Sequence, residues 1–588
     1  MLSNKPERSE IPTYLAIEKA DISLNLTQPL PILRSERLTD PPGMETGFEQ
    51  SLFDYEKGLS YNQAFSEMQT WILPVIEINK FRDAARKPVK ISDGKGESHT
   101  TILRNLLKTS GIYAIASYIS PLLSLILSPF LAHSLSKADF GALAVLTTFI
   151  ALMAGITQMG LSSAFFRVYV WEYESSQDRL KVISTTLMLL FLFSGPILAL
   201  LMITIPFFVG VLLNSTSYTV ALRLAALAIF MQNLTVPGFA WLRAENRAMY
   251  YSALTAVQLL ITLITTLLLV GKLQMGIVGA LLATGSGYAI VILITLPVIV
   301  VHAGLSARWD ITKSLLSLGI PTVTNYISVW VLQLSDRYLL SRMGSLSVTA
   351  SYAVAYSLGG ILSSVIIAPF SLAWPTTMLT IAERKDAPQI FRQVFRWFVL
   401  VLLLGAFGLS LLSVVMLHLL FPSGYNAATP IIPVITLSIV FYGTYIVFTV
   451  GIGITRKTWL VVIFTTFSAL INLGLNLVLI RLFGSMGAAF STLVAYIALA
   501  AVTYFANQRI YPIPFEIGLF AVALLVGITL FETSAFITQN WSLFASLALH
   551  FVSFCVYGVC LAFLGKFASW RTQGILVVGN MERLSENE

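Results

Sequence analysis

GIVGALLATGSGY, residues 276–288, returns 208 positions later as GSMGAAFSTLVAY, residues 484–496. Gly276 falls on Gly484, Gly279 on Gly487, Ala280 on Ala488, Thr284 on Thr492 and Tyr288 on Tyr496. The same shift, more than 150 residues upstream, lays Gly111-Ile112 on Gly319-Ile320 and Tyr118-Ile119-Ser120 on Tyr326-Ile327-Ser328. One offset holding at both ends of so long a block marks an internal repeat. Each copy holds six long apolar segments, which predicts two six-helix halves, 109–302 and 314–506, of like orientation. A pseudo-two-fold axis along the membrane normal then relates them, an arrangement used by transporters that rock one half against the other.

Composition supports an all-α integral membrane protein. Of 588 residues 56% are hydrophobic and only 11% charged, with a mean hydropathy of +0.79. Soluble domains carry about 25% charged residues, so a water-soluble enzyme is excluded as a class. The charge is concentrated: 27 of the 66 charged residues lie in residues 1–100, as 12 Lys/Arg and 15 Asp/Glu. That segment is acidic on balance, so the net charge of +8 comes from short loops and does not imply nucleic acid. Cys555 and Cys560 both lie in the last apolar run, which leaves no disulfide framework and no metal knuckle. No cofactor and no metal are expected.

Residues 1–100 read as a mostly disordered cytoplasmic extension, with Pro29, Pro31, Pro41 and Pro42 and a basic stretch from Lys80 to Lys90. Fourteen apolar segments follow, at 109–132, 141–165, 184–212, 219–241, 250–271, 276–302, 315–335, 348–380, 396–421, 427–453, 459–480, 484–506, 514–536 and 541–565. Each is long enough to cross a bilayer. The first is expected to act as an uncleaved signal anchor. Residues 514–565 supply two helices beyond the repeat, and 566–588 a cytoplasmic tail. From residue 80 onward, with the N-terminus inside, 25 Lys/Arg fall on inner loops and flanks and six on the outer side, so the positive-inside rule puts both termini in the cytoplasm.

The stretch NLGLNLVLIRLFGSMGAAFST, Asn472 to Thr492, resembles the eleventh-to-twelfth helix signature of Wzx-type polysaccharide flippases, of the multidrug/oligosaccharidyl-lipid/polysaccharide exporter superfamily. SPFLAHSLSKADFGAL (128–143), WLRAENRA (241–248) and LSDRYLLSRMGSLSVTASYAVAYSLGGIL (334–362) are similar to that family too. The likeness covers about 105–515 and, weakly, the last two helices; the long N-terminal extension departs from it. The resemblance implies a central cavity between the halves. It also implies a flippase for an undecaprenyl-pyrophosphate-linked oligosaccharide, a surface polysaccharide or O-antigen repeat unit, in the inner membrane. Its partners would be that lipid-linked substrate, membrane lipids and other polysaccharide assembly proteins.

Polar residues within the spans point the same way, because polar groups at depth face a cavity or another helix. In the first span Ser110, Tyr113, Ser117, Ser120, Ser124 and Ser128 fall within an arc of about 80°, and in the seventh Thr322, Asn325, Ser328, Gln333 and Asp336 within about 140°. The shift pairs Ser117 with Asn325, Ser120 with Ser328 and Ser128 with Asp336, which predicts a hydrated cleft lined by Ser117, Ser120, Ser128, Asn325, Ser328 and Gln333. Small-residue helix packing is the competing explanation for the serines. Arg223 and Arg342 on the outer side and Arg167 on the inner are candidates for a pyrophosphate head group, against simple snorkelling. Asp336 beside Arg337 is the candidate outer-gate ion pair or coupling carboxylate. His302 and His418, at helix ends, read as structural. No GxxxxGK[ST] loop, HExxH or nucleophile elbow is present, and the outer loops span only about 4 to 15 residues. A membrane-bound glycan polymerase or ligase has no evident place to work. A cation-coupled antiporter of the same superfamily would want a deep carboxylate in spans one to six, where none occurs. A scaffold recruiting enzymes through residues 1–100 is a further class.

Overall fold

Serine caps open two of the helices that meet between the halves. Ser136 accepts a hydrogen bond from the Asp139 amide at 3.1 Å and starts α1 (Lys137–Thr157), and Ser345 accepts from the Val348 amide at 3.2 Å and starts α8 (Leu346–Gly359). Such a cap contributes about 1 kcal/mol by satisfying an otherwise orphaned N–H. The computed structural model describes residues 126–173, 175–213, 215–245 and 247–585. The predicted extension and most of the first span, including Ser117 and Ser120, lie outside the described residues; of that span a helical end at 126–134 is described.

Between α1 and α8 come α2 (Leu161–Arg167), α3 (Ser176–Leu213), α4 (Thr219–Ala244), α5 (Ala248–Thr266), α6 (Gly276–Ala303) and α7 (Trp309–Met343). Then follow α9 (Ala368–Ala382), α10 (Ala387–Leu420), α11 (Ile431–Phe448), α12 (Trp459–Ile510), α13 (Ile517–Thr538) and α14 (Leu543–Ser585). Among the described residues, twelve helices are long and apolar enough to cross a membrane. One of them, the 52-residue α12, would extend about 78 Å if continuous, far beyond a bilayer core of about 30 Å. Gly484, at φ 58° and ψ −132°, divides it, so it accounts for the expected spans 459–480 and 484–506. Gly276, its equivalent by the 208-residue shift, has the same φ of 58°. α14 continues as helix through the segment expected as a tail.

Large side chains cover the outside. Ile203, Phe207, Leu293, Phe544 and Phe563 are all exposed, as a surface solvated by hydrocarbon requires. Inside, hydroxyls return their hydrogen bonds to the preceding turn, as Thr295 does to Val291 O at 2.8 Å and Thr503 to Leu499 O at 2.7 Å. One buried charge cluster is paired: Arg392 and Arg396 both donate to Glu516, and the Arg396 side chain is only 2% exposed. That triad ties α10 to the start of α13.

Candidate functional site

The expected span 141–165 is broken, and the break shapes the cavity. α1 ends at Thr157, Met159 takes φ 45° and Gly160 φ 65°, and α2 begins at Leu161. A non-glycine residue in this left-handed region is strained by about 1–3 kcal/mol, which the surroundings must offset. At Gly160 the lack of a side chain is required twice, since a Cβ there would also collide with Thr322 Oγ1 and the Gly319 carbonyl of α7. Gly319 in turn has no room for a Cβ against the Met159 carbonyl. The α1–α2 turn and α7 therefore touch backbone to backbone here. Further along the same seam Tyr326 Oη donates to Ala151 O at 2.6 Å and Trp330 Nε1 to Thr148 O at 3.0 Å.

Beside this contact lies a cavity of about 860 Å³, lined by Gln158, Ser162, Arg243, Thr322, Asn325 and Tyr326 among others. One wall belongs to α1, α2 and α4 and the other to α7. A smaller cavity of about 300 Å³ shares Gln158, Ser162 and Arg243 with it and reaches between α4, α5 and α6. Among the described residues, neither has an Asp or Glu in its wall.

Of the six residues predicted to line a cleft, the four within the described residues divide. Asn325 lines the large cavity, and its Oδ1 accepts from Thr465 Oγ1 at 3.0 Å. Ser328 is buried with its hydroxyl 2.8 Å from that of Thr466, Gln333 lies beside Tyr442, and Ser128 is 3.4 Å from Ser357. Ser328 and Gln333 thus face α12 and α11 within their own half. Their arc on α7 is too wide for one surface, and the helix splits it between cavity and core.

Asp336 is fully buried. It accepts from Tyr352 Oη at 2.6 Å, Asn476 Nδ2 at 2.7 Å and Thr492 Oγ1 at 2.8 Å. Asn476 Nδ2 also donates to Asn472 Oδ1 at 3.0 Å, while Asn476 Oδ1 is buried with no partner. The expected ion pair with Arg337 is not made: successive residues of a helix point about 100° apart, and Arg337 lies over the Tyr356 ring at 5.0 Å instead. Asp336 is thus a carboxylate taken out of solvent and held by neutral donors, a costly arrangement unless the charge is matched or protonated. The three arginines proposed for a head group do not converge. Arg167 is exposed at the end of α2, Arg223 is exposed on α4, and Arg342, exposed at the end of α7, reaches the Gly210 carbonyl at 3.5 Å.

Sequence reasoning missed Arg243, Gln158, Asn472, Asn476 and Thr492. A signal existed for two of them: Asn472 and Asn476 stand four apart, on one helix face, deep in a span. Among the described residues no group of three His, Cys, Asp or Glu could hold a metal ion.

The helices make a multi-pass membrane fold that three solved structures share. The lipid II flippase MurJ in its inward closed conformation aligns with a TM-score of 0.64 at 17% identity, over 79% of this chain and 99% of that one. An inward-facing multidrug resistance MATE family transporter of the MOP superfamily aligns at 0.55 and 14%, over 67% and 97%. A MOP superfamily transporter from Pyrococcus furiosus aligns at 0.53 and 14%, over 70% and 96%. At such identities the likeness is one of fold. A family model for polysaccharide biosynthesis proteins matches residues 106–378 of the chain. None of the curated proteins matches in sequence.

Proposed function

We propose that the chain is a flippase that carries an undecaprenyl-pyrophosphate-linked oligosaccharide across the inner membrane by alternating access of its two halves, both termini being cytoplasmic. The observation that supports this best is the cavity of about 860 Å³ at the seam between α1, α2 and α4 on one side and α7 on the other, with Gln158, Arg243, Thr322 and Asn325 and no carboxylate among its described lining residues. The sugar occupies that cavity while the lipid tail stays in the bilayer against the apolar exterior. No bond in the substrate changes. Net transport needs an energy source that binding cannot supply, and Asp336 is the coupling group: a buried carboxylate without a cationic partner gains or loses a proton or monovalent cation as the halves rock. Arg167, Arg223 and Arg342 meet the pyrophosphate at the two membrane faces, and other polysaccharide assembly proteins supply and take up the substrate.

The test is transport itself. In proteoliposomes holding a labelled lipid-linked oligosaccharide, the chain should move the glycan to the opposite leaflet, where an added glycosidase removes it. Loss of the gene should leave lipid-linked repeat units on the cytoplasmic face. Dye or drug efflux in place of glycan transfer would overturn the reading in favour of an antiporter.

A further inference from the structure

The smaller cavity is not used by the transport cycle as described, and its walls have a chemistry of their own. It lies within the first half and holds about 300 Å³, the lower end of the roughly 300–1,000 Å³ typical of small-ligand pockets. That is room for a sugar ring and not for a lipid chain. Three amides, of Gln158, Gln232 and Gln258, line it together with the rings of Tyr251 and Tyr288 and the guanidinium of Arg243. Each amide both donates and accepts, which suits the paired hydroxyls of a pyranose, and the aromatic faces suit its C–H face.

Three details indicate a built site. Gln158 is held in place, its Nε2 donating to Asn233 Oδ1 at 3.2 Å while Asn233 Nδ2 donates to Thr157 Oγ1 at 2.7 Å. Gln232 Oε1 is buried with no hydrogen-bond partner, an omission worth about 1–3 kcal/mol that a ligand hydroxyl would remedy. Arg243 donates to Ser162 Oγ at 2.9 Å and lies over the Tyr251 ring at 5.9 Å, with no carboxylate partner among the described residues. Its fork is thus free to take a planar anion at the threshold shared with the central cavity.

The charge balance narrows the ligand. With one cation and no carboxylate among the described lining residues, a cationic ligand is repelled. A pyrophosphate would bring several negative charges to a single guanidinium in an otherwise neutral site, leaving desolvation unmatched. A ring with one carboxylate fits. We propose that this pocket is a subsite for an acidic sugar, a hexuronate or other carboxylated pyranose of the transported glycan, with Arg243 forking its carboxylate. This rests on the flippase reading and specifies its substrate class.

The protein in lipid nanodiscs is titrated with methyl glucuronide, methyl glucoside and inorganic pyrophosphate, with binding read by saturation-transfer NMR and competition. Methyl glucuronide should bind about tenfold tighter than methyl glucoside, the scale of one charge-assisted hydrogen bond. Arg243→Gln should reduce the glucuronide to the glucoside level, and Gln232→Leu should weaken both. Equal affinity for the two glycosides, no binding of either, an unaltered preference in Arg243→Gln, or displacement of the glucuronide by pyrophosphate as the tighter ligand would each overturn the subsite. None of these probes is transported, so the outcome is separable from that of the parent reading. Glucuronide binding without transfer of any lipid-linked glycan would refute the flippase alone, and transfer without glucuronide preference the subsite alone.

Discussion

Asp336 is a fully buried carboxylate held by neutral donors, and its partners show why substitution there separates charge from shape. Asparagine is nearly isosteric but offers an NH2 where Tyr352, Asn476 and Thr492 already donate. Asp336→Asn should keep the fold, as read by an unchanged elution profile in detergent, yet lower flipping by more than about tenfold and remove its dependence on an ion gradient. Asp336→Ala strands those donors at about 1–3 kcal/mol apiece and should show as a lowered Tm besides. The Arg396–Glu516 pair behaves differently. Replacing Arg396 by Met leaves Glu516 with Arg392 alone in a site where its side chain is 8% exposed, and breaking a buried pair costs about 3–5 kcal/mol. Expression and Tm should fall, with the activity of the surviving folded protein retained.

At the level of elements, the hydrophobic lengths and the 208-residue shift were readable along the chain, because apolar run length and glycine spacing are local properties. The conformation of Gly484 follows from the same reading. What could not be read is which face of each helix meets which neighbour. Asp336 and Asn476 are 140 residues apart and Asp336 and Thr492 156, so a stripe drawn on one span cannot reveal that they converge. The kink at Met159 and Gly160 is likewise fixed by α7 and not by its own residues. It yields an element-scale prediction. Gly160→Ala adds a Cβ at φ 65°, costing about 1–2 kcal/mol in backbone alone, and pushes against Thr322 and Gly319. The helix-to-helix seam should open, seen as faster labelling of a cysteine introduced at Thr322, with transport lost. Gly474→Ala, where a Cβ meets nothing within 4 Å, is the matched control and should be silent.

Across the whole molecule the halves are also joined at the end of α1 remote from the cavity. Lys137 Nζ donates to Gly424 O at 2.6 Å, Phe140 packs edge-on against Tyr425, and a Cβ at Gly141 would strike the Leu346 carbonyl. Under the proposed alternating access this contact parts once per cycle. With Cys555 and Cys560 replaced by serine, a short bis-maleimide bridge between cysteines at positions 137 and 424 should stop flipping, while either single cysteine treated with the same reagent should not. A bridged protein that still flips would mean that the halves do not rock about this end.

The last two helices bear on how such motion can be watched. α13 and α14 pack on α10 and on each other, with Phe520 against Phe441 of α11 and Phe554 beside Gly408 of α10, so they ride on the second half. Cys555 is exposed on α14. That exposure is to lipid, midway along a span, whereas Asn540 is exposed in the turn between α13 and α14, so a cysteine introduced there is the handle that water-borne reagents reach. Under the proposed rocking motion, a donor dye at position 540, with Cys555 and Cys560 removed, and an acceptor anchored on α3 would form an optical ruler spanning the hinge, able to time single strokes without touching the substrate route.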